Sequence, residues 1–118
     1  MRAKDAVGIY GERVAVRFLQ DAGLEIIERN WRCREGELDI VAREGSTLVF
    51  CEVKTRSSTA YGDPAEAVVG AKATRLRRLA GRWLEEHPGH WAELRIDVVS
   101  VLRQRRGAAV VRHLRSVV

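Results

Sequence analysis

The stretch Gly36–Arg56, GELDIVAREGSTLVFCEVKTR, limits the fold more than any other part of the chain. It reads as two strands, Glu37–Arg43 and Ser46–Thr55, joined at Glu44-Gly45, because an acid–glycine pair between apolar runs favours a tight hairpin. Residues two apart on a strand share a face. One face then carries Val41, Leu48 and Phe50, and the other Leu38, Ile40, Ala42, Val49 and Cys51. A hairpin that is apolar on both faces belongs inside a sheet covered from both sides.

The remaining chain supplies the covers. Val7, Tyr10, Val14, Phe18 and Ala22 recur at helical steps, which predicts a helix from Asp5 to Ala22 with Gly23 just past its end. Gly11 weakens that helix, so something is expected to approach its backbone there. Leu24–Cys33 is a predicted strand, followed by a turn at Arg34-Glu35-Gly36. After a polar loop over Ser57–Asp63, Asp63-Pro64-Ala65-Glu66 signals a helix start. The helical pattern pauses at Gly70, resumes through Leu76, Leu79, Ala80, Trp83 and Leu84, and stops at His87-Pro88-Gly89. Strands over Leu94–Leu102 and Ala108–Leu114 flank a basic turn. The order αβββαββ predicts one α/β domain over residues 1–118, a mixed central sheet flanked by helices.

The overall balance narrows the function classes. No apolar run reaches the length of a membrane span, and the N-terminus has no secretory apolar segment, so the expected setting is the cytoplasm with no membrane partner. Cys33 and Cys51 lie in no metal-binding spacing, which argues against structural zinc. The net charge is +5, and of 21 basic residues only Lys4, Lys54 and Lys72 are lysines. Arginine's planar fork suits phosphate, so this excess fits a nucleic-acid partner.

Against its apolar background, the hairpin carries Glu37, Asp39, Glu52 and Lys54. A two-residue turn at Glu44-Gly45 would set Arg43 opposite Ser46, Asp39 opposite Phe50 and Glu37 opposite Glu52. Asp39 and Glu52 would then be diagonal neighbours, about 7–8 Å apart at the backbone and able to share an ion. A slip of one residue would move Asp39 to the other face. Two carboxylates hold Mg²⁺ or Mn²⁺ while leaving water positions open, and such an ion lowers the pKa of bound water and polarises a phosphoryl group. Lys54 can orient that water or offset developing negative charge.

These residues resemble those of the PD-(D/E)xK nuclease superfamily and, more closely, the YraN family of uncharacterised proteins regarded as endonucleases. The matching features are Gly11-Glu12, Asn30-Trp31-Arg32, Gly36-Glu37-Leu38-Asp39-Ile40-Val41-Ala42 and Phe50-Cys51-Glu52-Val53-Lys54-Thr55-Arg56. Tyr61-Gly62-Asp63-Pro64, Glu66-Ala67-Val68, Lys72 and Arg95-Ile96-Asp97-Val98-Val99 extend the resemblance over nearly the whole chain. It implies a restriction-endonuclease-like core related to Holliday junction resolvases. It also implies metal ligation by Asp39 and Glu52, catalysis assisted by Lys54, and a further acid, Glu12, from the first helix; the register of the hairpin leaves Glu37 as auxiliary. Leu38 replaces the superfamily's proline before the aspartate, and Cys51 stands where the closer family has another small apolar residue.

Beyond the hairpin, Lys72, Arg75, Arg78 and Arg82 form a basic stripe on the second long helix, and Arg56 leaves the hairpin towards a polar loop. All five are expected to contact phosphates. Trp31 is the candidate for stacking on a base and Trp83 for the core. The three histidines receive no role, and Asp97 is expected either to support the site or to pair with Arg95 or another arginine. The leading expectation is a Mg²⁺-dependent endonuclease acting on DNA in preference to RNA, including branched or structured DNA. A homodimer is the assembly that symmetric cutting of two strands requires. The alternative expectation is a nucleic-acid-binding module that keeps the fold with little or no catalysis.

Overall fold

The doubly apolar hairpin lies inside a five-stranded sheet. A computed structural model describes residues 3–57 and 70–116. Its elements are α1 (Ala3–Asp21), β1 (Glu25–Cys33), β2 (Gly36–Glu44), β3 (Thr47–Arg56), α2 (Ala71–Glu86), β4 (Glu93–Leu102) and β5 (Val110–Leu114). The strands lie in the order β1-β2-β3-β4-β5, with β3 and β4 parallel and every other pair antiparallel. The parallel join requires a crossover, and α2 lies on it. The expected helix start at Asp63-Pro64 lies outside the described residues. The expected pause at Gly70 is an N-cap with φ 55°, a conformation that glycine adopts at little cost. No described helix is long and apolar enough to cross a membrane.

Each face of the sheet has its own core. Ala73, Leu76, Leu79, Ala80 and Trp83 fall at three- and four-residue steps on α2 and pack against Val41, Leu48, Phe50, Ile96 and Val98. Phe50 meets the Trp83 ring edge-on at 5.9 Å. On the other face, Ala15 and Leu19 of α1 cover Ile40, Ala42, Val49, Cys51, Val99 and Val101. Fully burying a side chain such as Leu19 or Leu79 contributes about 1.5–3 kcal/mol.

The α1 contact differs from the expected stripe. The buried line runs through Gly11, Glu12, Ala15 and Leu19, while Tyr10, Val14 and Phe18 flank it and Ala22 is exposed. Small residues set this rotation by letting the helix backbone approach β3. A Cβ added at Gly11 would stand 1.7 Å from Thr55 Oγ1, so the approach expected at Gly11 is made by Thr55.

Three further expectations need correction. The hairpin loop is Gly45-Ser46, with Gly45 at φ 62°, and Glu44 pairs with Thr47. Arg43 therefore faces Leu48 and Val41 faces Phe50, a shift of two residues that leaves every side chain on its expected face. Leu38 is the exception. It joins Val41 in the α2-side core, because β2 loses its alternation at Asp39. Trp31 is also in that core at 7% exposure, so it offers no face to a base.

Replacing Gly11 by alanine is expected to lower unfolding stability by about 1–3 kcal/mol, the usual cost of overpacking, as measured by denaturant titration. At Gly8, where an added Cβ meets nothing within 4 Å, the same substitution should be harmless.

Candidate active site

Two strands bend at facing positions, and this bend makes the site. In β1, Glu28 and Trp31 both turn towards α2: Trp83 Nε1 donates to Glu28 Oε1 at 3.0 Å, and Trp31 lies in the α2-side core. Between them, Arg29 and Asn30 both reach Glu12 on α1. Alternation therefore breaks at Asn30, whose φ of 53° is left-handed, a state that asparagine tolerates better than most residues. In β2 the break falls at Asp39, between Leu38 and Val41 on one face and Ile40 on the other. Asn30 and Asp39 stand across from one another between the pairs Arg29↔Ile40 and Trp31↔Leu38.

Beyond Ile40↔Cys51 the β2–β3 ladder ends, and Asp39 Oδ2 accepts the Val53 N–H at 2.8 Å. Asp39 and Glu52 each lie one residue beyond that last pair, where diagonal neighbours were expected, and they line one cavity. A cavity of about 240 Å³ opens here, lined by Gly36, Glu37, Asp39, Glu52, Lys72, Arg75, Leu76 and Leu79. Burial and then the Glu52 charge push the Asp39 carboxyl up to about 7, with smaller contributions from Glu37 and Glu12, although the Val53 amide opposes them.

The other expected residues divide into groups. Glu37 lines the cavity while Arg32 Nε donates to it at 3.0 Å. Glu12 is buried on α1, and its Oε1 accepts Arg29 Nε at 3.1 Å and Asn30 Nδ2 at 2.7 Å. It acts on Asp39 through charge and does not line the cavity. Lys54 follows Glu52 on β3, but it neither lines the cavity nor forms an ion pair among the described residues. The cation on Glu52 is instead Lys72 of α2, with Nζ 2.9 Å from Oε1. Among the described residues no three His, Cys, Asp or Glu side chains are gathered as a ready metal site.

The basic stripe also divides. Lys72, Arg75 and Arg78 line a broad basin of about 800 Å³ with Glu35, Ala71 and Thr74. Arg82 leaves that track, because its Nη1 is bound to Glu35 Oε1 at 2.8 Å. Arg56 is half-buried at the end of β3, where its carbonyl accepts the Arg103 N–H at 2.7 Å.

Asp97 is buried in the middle of β4, beside Cys51, and serves the fold. Arg95, His113 Nε2 at 2.7 Å and the Ser116 N–H at 2.9 Å all bond it. Burial alone would raise this carboxyl, but the His113, Arg95 and Ser116 contacts together hold it below its ordinary range. The Arg95 pairing is one of the expected alternatives, whereas the role of His113 was not anticipated. Asn30 was also missed as a positioning residue, and its one local signal is an αL-tolerant residue within a strand.

Comparison with known proteins gives a consistent family. The model of an uncharacterised protein family, UPF0102, matches residues 11–101. A UPF0102 protein of Beutenbergia cavernae is 68% identical over 117 residues, covering 99% of each chain. Relatives of the same name in Frankia casuarinae and Frankia alni are 61% and 62% identical over 115 residues, covering 98% of this chain and 98% and 96% of theirs.

The state of Asp39 has a measurable consequence. Its carboxyl is raised from 3.8 to about 7, so between these values the folded chain holds a proton that the unfolded chain has lost. Metal-free stability should therefore fall as pH rises through this window, by a few kcal/mol at about 1.36 kcal/mol per pH unit. Chemical denaturation from pH 4.5 to 8 should show that slope in the wild type and a flatter profile in Asp39→Asn, which should be the more stable protein at pH 8.

Proposed function

This chain belongs to the uncharacterised UPF0102 family, and from that footing we propose that it is a metal-dependent nuclease that hydrolyses phosphodiester bonds in DNA. The observation carrying this reading is that Asp39 and Glu52, each one residue past the end of the β2–β3 ladder, line one cavity that shares Lys72 and Arg75 with a basic basin. Carboxylates that repel one another in a partly dry cleft favour a cation between them.

The donor set suits Mg²⁺ or Mn²⁺. These are hard ions that take oxygen ligands, and Mg²⁺ is usually held by one or two protein carboxylates together with substrate phosphate and water. Asp39 and Glu52 would hold the ion, which when bound would supply an activated water and polarise the phosphoryl group. The Val53 amide fixes the orientation of Asp39. Glu12, held by Arg29 and Asn30, adds negative charge behind it, and Glu37 does so from the cavity wall. Lys54 is the cation proposed to offset charge on the phosphate in the substrate complex. Arg75 and Arg78 would take neighbouring phosphates.

The PD-(D/E)xK superfamily and its YraN branch are the proposed lineage, with a restriction-endonuclease-like architecture. The element order and the parallel β3–β4 join beside an antiparallel hairpin support this assignment. Branched DNA and a homodimer are the proposed substrate form and assembly, because symmetric cutting of two strands calls for two sites.

A second reading, a nucleic-acid-binding module without chemistry, is favoured by one observation: Lys72 occupies Glu52 while Lys54 stands outside the cavity. The two readings separate on purified protein with Mg²⁺ or Mn²⁺ and a panel of branched, duplex and single-stranded DNA and RNA. The nuclease should cut at least one substrate, and Asp39→Ala, Glu52→Ala and Lys54→Ala should each lower the rate by about 10²–10³-fold while leaving binding largely intact. Tight binding with no cleavage across the panel would favour the module.

A further inference from the structure

Glu52 lines the acidic cavity with its side chain only 15% exposed, and its Oε1 is held by Lys72 Nζ at 2.9 Å. This lysine comes from α2, a separate element, although Lys54 lies two residues from Glu52 on the same strand. Lys72 also lines both cavities: the acidic one with Glu37, Asp39 and Glu52, and the basic basin with Arg75 and Arg78. It stands at their junction and, among the described residues, is the one cation whose bound partner is a proposed metal ligand.

We propose that Lys72 is an exchangeable countercation, which holds Glu52 while no metal ion is there and moves to substrate phosphate once a metal ion takes Glu52. The inference rests on the metal-dependent reading above and adds a coupling between cation and substrate that the reading does not itself contain. Lys72 is committed to Glu52 and Arg32 to Glu37, so Asp39 is the cavity acid without a cation partner among the described residues and the place where a divalent ion is drawn in. When that ion arrives, Lys72 loses its partner, and a free ammonium beside a metal ion is repelled from the cavity. Its four-carbon stem is flexible, its charge is compact, and its side chain is already 32% exposed. Arg75 and Arg78 are one and two helical steps further along α2, about 4.5 Å and 9 Å of rise away. Neither forms an ion pair among the described residues, so Lys72 would complete a three-cation phosphate site in the basin.

Two consequences follow from linkage. The metal ion and Lys72 compete for Glu52, so loss of the lysine charge tightens metal binding. Metal binding frees Lys72, so metal and phosphate strengthen each other's binding, and part of that coupling disappears with the lysine.

The test uses the full chain and two probes, Mn²⁺ alone and a short fluorescein-labelled single-stranded oligonucleotide with or without Ca²⁺. Lys72→Gln is expected to bind Mn²⁺ more tightly than wild type, by about 5- to 150-fold on the usual scale of such couplings, with Lys72→Arg close to wild type. The gain in oligonucleotide affinity on adding Ca²⁺ should shrink in Lys72→Gln. A third measurement needs no variant: with only three lysines in the chain, the Lys72 ammonium resonance can be followed in labelled wild type and should shift when Mg²⁺ is added. The proposal is overturned if wild type binds Mn²⁺ at a site lost in Asp39→Asn, yet Lys72→Gln binds it no more tightly or the Lys72 resonance does not move. If wild type has no such Mn²⁺ site, the metal-dependent reading fails, and the exchange fails with it.

Discussion

The Val53 amide donates to a side chain, and the open end of the sheet depends on that bond. A backbone N–H inside a sheet must find a partner, and β2 stops providing one after Ile40. Asp39 Oδ2 takes the place of a ladder carbonyl at 2.8 Å. This lets β2 and β3 separate without leaving the amide unsatisfied, and it fixes a carboxylate at the point of separation. The bend in β1 at Asn30 accompanies it, anchored to α1 through Glu12. Strand irregularities of this kind commonly re-aim side chains beside functional sites.

The two aspartates of the sheet show how partners decide the fate of a desolvated carboxylate. Asp97 loses its water and gains an arginine, a histidine and a backbone amide, which hold its carboxyl down. Asp39 loses water, gains one amide and faces other acids, which drives its carboxyl up to about 7. Asp97 is satisfied within the fold, and its network ties β4 and β5 to Glu44 beside the hairpin loop, where Arg95 and Arg115 converge. Asp39 remains short of positive charge, the condition under which a carboxylate site recruits an ion. The contrast distinguishes a structural carboxylate from a proposed functional one.

Helix α2 connects core and site because its two faces have different work. Leu76 and Leu79 both pack in the core and line the acidic cavity, so core packing sets how far the helix stands from β2 and β3. Lys72 and Arg75 then project over the carboxylates. The apolar spacing of α2 was legible in the chain and settled which face is buried. Which basic residue would meet which acid was not legible: Lys72 went to Glu52, Arg82 to Glu35, and Lys54 to neither.

By itself the sequence determined the two-sided burial of the hairpin, the succession of elements and the shared face of Asp39 and Glu52, because apolar periodicity and turn residues act locally. Even a pairing shifted by two residues preserved that face, since strand side chains repeat every two. The tertiary structure alone decided that Asp39 and Glu52 line one cavity past the end of the β2–β3 ladder, that Leu38 and Trp31 turn into the α2-side core, and that the cation on Glu52 comes from α2. These depend on a left-handed residue in one strand meeting a broken ladder in its neighbour, and on small residues that let α1 approach β3. Such contacts join residues far apart in the chain, and no local pattern encodes them.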